Sequence, residues 1–298
     1  RSPVSHAEII DVDISAAQAL PGVKAVITGD ETDETFGILP VARFEYPLAR
    51  DKVRYKGEPV ACVAAIDVET AQKAIDLIKF KYKELPAYFT SQEAMAEGAV
   101  YIHDHREGNI EREVDFELGE VDEGFEAADF IMEETFNCAE IAQVQMEPHA
   151  AIAEYDPTRD FMTVHASTQV PYYGHLMLAK TLKMEESQIR MIKPFVGGGF
   201  GCRTECLNVE LICALVARAA GGTVRIVVSR EETFITHRGR PETDVEMKIG
   251  LTKDGMITAV DYKAIQRGGA FSGYGVVTIL YSGGLMFGVY DQIGRAHV

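Results

Sequence analysis

Pro194-Phe195-Val196-Gly197-Gly198-Gly199-Phe200-Gly201-Cys202-Arg203 is the densest signal in the chain. It stands between a short strand pattern at 188–192 and an apolar stretch with helical spacing at 205–220. Glycines placed between a strand and a helix let backbone N–H groups close in on a bound anion or cofactor. The spacing is not the dinucleotide fingerprint, which needs GxGxxG and an acidic residue further on. It is not a P-loop either, because no Gly-Lys-Ser/Thr follows. The bland reading is a flexible loop. Phe200 speaks against it, since an aromatic ring inside a glycine run must pack against something.

Working outward, Ser167-Thr168-Gln169 ends one strand pattern and opens a helix, where a polar side chain is usually a cap. Downstream, Gln266-Arg267-Gly268-Gly269-Ala270-Phe271-Ser272-Gly273-Tyr274-Gly275 is glycine-rich again and is followed by Tyr281. Arg238 and Arg240 flank a glycine and suit either an anion or open surface. His103 and His105 have a spacing open to a metal, but so polar a run reads as a solvated loop, and no metal site is assigned.

The periodicities predict strands at 7–13, 23–28, 53–55, 59–66, 80–84, 130–137, 150–155, 162–166, 188–192 and 223–229. Helices are expected at 14–20, 69–79, 121–128, 171–182 and 205–220, the fourth opened by Pro171 and the last closed by Gly221-Gly222. A hairpin is expected from 245–252 and 256–266 across Lys253-Asp254-Gly255. Strands mixed with short helices make the fold class α+β. We divide the chain into 1–86, a connector at 87–113, and a second domain at 114–292. Residues 293–298 match a translated frame of a common sequencing adapter and are set aside as a non-native tail.

Hydrophobic residues make up 47% and charged residues 25% of 298, enough for a packed core. Lys plus Arg number 29 against 46 Asp plus Glu, and a net charge of -17 excludes the basic face that nucleic acid needs. No apolar run reaches membrane-spanning length, and no signal-peptide pattern opens the chain. Five scattered cysteines, Cys62, Cys138, Cys202, Cys206 and Cys213, fit free thiols and a cytoplasmic location better than a disulfide framework. No second pair completes a zinc site around Cys202 and Cys206.

The GGGFG loop, the upstream Ser167-Thr168-Gln169, and the stretch from Ser229 through Arg238-Gly239-Arg240 to Asp254-Gly255 resemble, in that order, the molybdenum-hydroxylase large subunits of the xanthine dehydrogenase and aldehyde oxidase family. The resemblance implies an α/β hammerhead domain at 1–86 and the first part of a molybdenum-cofactor-binding domain at 114–292, in a chain truncated at both ends. It implies that Gln169 hydrogen-bonds the apical molybdenum oxo group, and that Phe200 and Gly201 lie beside the metal. Gly198, Gly199 and Arg203 join them as cofactor-binding residues, with Gln169 and Tyr281 as the catalytic pair. No residue of the chain ligates the metal, which the pterin holds.

Within the family, Phe44-Glu45-Tyr46-Pro47, Cys202-Arg203-Thr204-Glu205 and Thr278-Ile279-Leu280-Tyr281 resemble the α subunit of 4-hydroxybenzoyl-CoA reductase. That likeness implies reductive dehydroxylation of 4-hydroxybenzoyl-CoA to benzoyl-CoA. It also implies molybdopterin cytosine dinucleotide, iron–sulfur and FAD subunits in a dimerised heterotrimer, and ferredoxin as donor. The alternative is a hydroxylase acting on an aldehyde or N-heterocycle. Purine-oxidising relatives carry a purine-reading Glu where Thr204 stands, with Glu205 one place late, and an Arg where Tyr281 stands. A purine needs polar readers at its edges, so these residues disfavour purines.

Overall fold

The computed structural model describes residues 1–289 and 294–297; the expected domain end at 292, together with Ile293 and Val298, lies outside them. The chain opens with β1 (Ala7–Asp13), α1 (Ser15–Gln18), β2 (Val23–Thr28), β3 (Lys52–Val53), β4 (Ala61–Ala65), α2 (Val68–Asp76) and β5 (Lys79–Glu84). Then come α3 (Ser91–Ala94), β6 (Asp115–Leu118), α4 (Val121–Glu126) and β7 (Phe130–Cys138). β8 (Ala150–Asp156), β9 (Phe161–Ala166), α5 (Pro171–Leu182), β10 (Ile189–Ile192), α6 (Asn208–Ala220), β11 (Thr223–Val227) and α7 (Arg230–Ile235) follow. The last elements are β12 (Thr243–Leu251), β13 (Ile257–Gln266), α8 (Gly275–Val289) and β14 (Gly294–His297). The α+β class expected from the sequence is the class observed.

These elements form two compact units, and each draws on separate stretches of chain. The first comprises Arg1–Ala87 and Ala142–Gly239, the second Tyr88–Ile141 and Arg240–Val298. The units cut across the division read from the sequence. The reason is a shared core: Ile27, Phe36, Leu48 and Ala64 from the first 86 residues pack in one cluster with α6 and the strands β8 and β9. Within α6, residues 209–217 are buried without a break. A helix apolar all round needs cover on every side, and strands from both stretches supply it.

In the first unit, β9 and β10 run parallel while β8 pairs antiparallel with both β9 and β11, giving the order β10-β9-β8-β11. This arrangement positions the site. The chain leaving β9, the chain leaving β10 and the chain entering β8 all sit at one end of the sheet. The helix expected at 205–220 begins only at Asn208, because a carboxyl oxygen of Glu210 accepts from the Leu207 N–H at 3.1 Å and caps the turn there.

In the second unit, the predicted hairpin β12–β13 forms, with Gly255 in the turn at φ 80. The sheet order is β6-β14-β13-β12-β7. Residues 294–297, assigned from sequence to a non-native tail, are therefore a strand, parallel to β13 and antiparallel to β6. Ladder hydrogen bonds ask only for backbone, and the small Gly294 and Ala296 face inward, so this short segment fits whatever its origin. The connector is also more structured than expected. Thr90 and Glu93 close a capping box on α3, and His103 is buried rather than solvated. Its Nε2 lies 2.6 Å from the Ala270 carbonyl, and its ring packs edge-on against Phe271. Among the described residues no helix is long and apolar enough to cross a membrane.

Candidate functional site

Three segments meet at the sheet end of the first unit: 143–149 before β8, 167–170 after β9, and 193–207 after β10. The glycine loop turns sharply, with φ at 113 for Gly198, 50 for Phe200 and 92 for Gly201. A non-glycine residue in the left-handed region is costly and persists only where its surroundings fix it. Here they do. The Gly201 N–H donates to Gln169 Oε1 at 3.1 Å, and the Gln169 N–H donates to the Arg203 carbonyl at 3.0 Å. A Cβ at Gly199 would overlap the Gln169 side chain, and one at Gly198 would come within 2.8 Å of the Phe200 ring. The sequence signals at 167–169 and 197–201 are thus brought into direct contact.

Arg203, expected to touch cofactor, is fully buried and committed to protein groups. Nη1 pairs with Glu147 Oε2 at 2.5 Å and with the Ser167 hydroxyl; Nη2 donates to the carbonyls of Glu147 at 2.9 Å and Pro148 at 3.2 Å. Glu147 Oε2 also accepts from Ser167 Oγ at 2.8 Å and from the Gly197 N–H at 2.6 Å. Partial burial opposes the Glu147 charge, but the hydrogen bonds from Ser167, Arg203 and Gly197 outweigh it and hold its carboxyl below the usual range. Beside this cluster, burial and the Arg203 charge push His149 down to about 4, so its imidazole is neutral at pH 7. Sequence reasoning missed Glu147 altogether. The one sign it gave was a charged residue and a histidine astride a proline, Glu147-Pro148-His149, immediately before an apolar strand.

Thr204 Oγ1 donates to the Gly201 carbonyl at 2.7 Å, and Glu205 is buried. Arg238, which from sequence suited an anion, is ion-paired to the buried Glu45. Tyr281 lies in the second unit, on α8, with its side chain exposed.

The N–H groups of Gly197, Gly201 and Cys202 are already spent on Glu147, Gln169 and the Gly199 carbonyl, so the donors left at the loop are the N–H groups of Gly198, Gly199 and Phe200 and one primary amide whose Nε2 has no partner among the described residues. Cys202 is buried, which pushes its thiol up and away from the thiolate a metal would need. Phe195, before the glycines, and Phe200, among them, both stand exposed; the packing expected of Phe200 from sequence is not found among the described residues, its ring lying against Gly198 of its own loop. Such a cradle suits a flat group that carries its own metal ligands and presents oxygen acceptors.

The comparisons with known proteins agree. A molybdopterin cofactor-binding domain model matches residues 102–298, and an aldehyde oxidase and xanthine dehydrogenase a/b hammerhead domain model matches residues 1–86. The chain is 35% identical over 94% of its length to the nicotinate dehydrogenase large molybdopterin subunit of Eubacterium barkeri, spanning 65% of that protein. It is 33% identical over 95% of its length to a probable xanthine dehydrogenase component of Bacillus subtilis (strain 168), spanning 37% of it. The structure of quinoline 2-oxidoreductase from Pseudomonas putida 86 superposes with a TM-score of 0.88 at 30% identity, covering all of this chain and 39% of that one. This chain belongs to the molybdopterin-binding family of xanthine dehydrogenase and aldehyde oxidase large subunits. The finer likeness to 4-hydroxybenzoyl-CoA reductase is not shown by these relatives, and the hydroxylase alternative has the better support.

Proposed function

We propose that Gly198, Gly199, Phe200, Gly201 and Gln169 receive the metal end of molybdopterin, in an oxidoreductase that hydroxylates a non-purine nitrogen heteroaromatic ring. The observation that carries this reading is the Gln169 amide, its oxygen pinned by the Gly201 N–H 3.1 Å away in a left-handed loop. Pinning the oxygen leaves the amide Nε2 as a fixed donor. When bound, the cofactor supplies two-electron oxidation of a ring carbon with water as oxygen source: R–H plus H2O gives R–OH, two protons and two electrons.

The chain's own residues do the positioning. With the cofactor bound, Gln169 would donate from Nε2 to an acceptor on it, a preorganised donor of the kind that stabilises charge as it develops. Arg203 acts behind the loop rather than on the cofactor. Thr204 spends its hydroxyl on the Gly201 carbonyl, and Glu205 is turned into the core. Neither reads a purine edge. Tyr281 is the candidate ring contact, since an exposed aromatic offers a face to a heteroaromatic substrate. The names of the relatives support a nitrogen heterocycle, since nicotinate, quinoline and xanthine all are; xanthine is a purine, so the non-purine part of the reading rests on Thr204 and Glu205 alone. Iron–sulfur and FAD subunits of a heterotrimer carry the electrons off, the pterin is the cytosine dinucleotide, and the complex is cytoplasmic.

The test is the full-length complex, incubated in 18O-labelled water with an electron acceptor and with nicotinate, quinoline, xanthine or an aldehyde. Label in a hydroxylated pyridine- or quinoline-type product supports the reading. Xanthine as the preferred substrate removes the non-purine assignment. Conversion of 4-hydroxybenzoyl-CoA to benzoyl-CoA with reduced ferredoxin, and no hydroxylation, replaces it with the reductive reaction.

A further inference from the structure

The Glu147 carboxylate has more partners than a side chain 30% exposed would need. One oxygen, Oε2, serves the Gly197 N–H, Arg203 Nη1 and Ser167 Oγ at once. Each donor belongs to a different segment: the glycine loop, its exit toward α6, and the end of β9. Backbone and side chain are in close contact as well, since a Cβ at Gly197 would come within 2.7 Å of Glu147 Cβ. The contacts close a circuit. Glu147 holds the Arg203 side chain, the Arg203 carbonyl holds the Gln169 N–H, Gln169 Oε1 holds the Gly201 N–H, and the loop returns to Glu147 through Gly197.

We propose that Glu147 is a positioning residue for the cofactor loop: through Arg203 and the Gly197 N–H it sets the arrangement of Gly198–Gly201 and Gln169 that receives the metal end of the cofactor. This rests on the molybdopterin reading above. Glu147 itself touches no reacting atom. Its charge matters because three donors converge on one oxygen, and charge-assisted hydrogen bonds are about twice as strong as neutral ones. A carboxamide of equal size either turns its nitrogen toward those donors or offers them one weaker acceptor.

The test is Glu147→Gln in the full-length holoenzyme, with Glu147→Asp beside it. Molybdenum retained after desalting falls roughly 10–100-fold in Glu147→Gln, the range typical of groups that orient a metal's surroundings. Amide hydrogen exchange in the 194–203 peptide accelerates, while exchange across α6 is unchanged. Glu147→Asp keeps the charge and recovers retention in part. Full retention with unaltered loop exchange in Glu147→Gln overturns the proposal. Loss of protection throughout α6 and its sheet overturns it as well, by making Glu147 a residue of the fold at large. A parent enzyme without molybdenum removes the reading on which the proposal rests, and that failure is told apart because parent and variant then fail together.

Discussion

Two glycine-rich stretches, 197–201 in the first unit and 268–275 in the second, have similar composition and different anchors. Both use left-handed backbone, at Gly198, Phe200 and Gly201 in one and at Gly269 and Gly273 in the other. The first is tied down by a buried guanidinium and a carboxylate with three donors. The second is tied by an amide and an imidazole: Gln266 Nε2 donates to the Gly275 carbonyl at 2.8 Å, and His103 bonds the Ala270 carbonyl. Its ion pair, Arg267 with Glu242, is about one-third exposed on each side. Only the first stretch holds an aromatic residue in the left-handed region. Glycine content marks where backbone can bend; the charges behind it decide whether the bend is held rigidly enough to receive a ligand.

The largest expected difference between the two stretches is in catalysis. Gln169→Ala should lower turnover of the holoenzyme about 10²–10³-fold, the loss seen when one preorganised donor is removed, with little change in melting temperature. Gln266→Ala in the second stretch should do the reverse, losing about 1 kcal/mol of stability and leaving turnover near normal. Equal effects on turnover would remove the distinction. Next is the anchor itself. Arg203→Met takes the guanidinium from Glu147, leaving it Ser167 and Gly197 as donors, and should cost about 2 kcal/mol in urea unfolding. Arg267→Met, at an exposed pair, should cost under about 1 kcal/mol.

A pH effect should also belong to the first unit. Burial raises Glu58 to about 8 and Glu210 to about 7. Both carboxyls hold protons when folded that they release when unfolded, so stability is full below the unfolded value near 4.5 and falls as pH rises toward 8. Glu58→Gln should flatten that decline by about 1–2 kcal/mol, as read from urea melts at pH 5 and pH 8. A stability curve of unchanged slope would show that Glu58 is ionised in the fold.

Smaller again are the glycines. Gly201→Ala and Gly269→Ala both force alanine to positive φ, at 92 and 65, and should each cost about 1 kcal/mol. Only Gly201→Ala should also lower molybdenum content. The smallest stability effect is expected from Tyr281→Phe. The side chain is 60% exposed, so the unfolding free energy should change by less than about 0.5 kcal/mol. A fall in turnover of about 10²-fold in that variant would assign the hydroxyl to proton transfer, and normal turnover would leave Tyr281 as a ring contact only.

Much of the local structure was legible in the residues. The strands β1 and β2 and the helix α5 fall where alternation, Pro21-Gly22 and Pro171 predict them, because these signals act between neighbours in sequence. The glycine loop and Gln169 were legible as separate signals for the same reason. Glu147 was not, because its role comes from donors 20 to 56 residues away, and nothing in its own neighbourhood marks them. The same separation explains Arg203. The resemblance casts its side chain as cofactor-binding, and only the fold turns it inward onto Glu147 and Ser167.

By itself the sequence determined the α+β class, the family, and the place of the glycine loop between a strand and a helix, all of which follow from short-range pattern and spacing. The tertiary structure alone decided how the stretches combine. Residues from 27 to 64 share a core with α6 because an all-apolar helix must be covered on every side. Parallel β9 and β10 beside antiparallel β8 bring three distant loops to one end of a sheet. The burial of Arg203 then makes an unpaired guanidinium so costly that it has to find a carboxylate, and Glu147 supplies it.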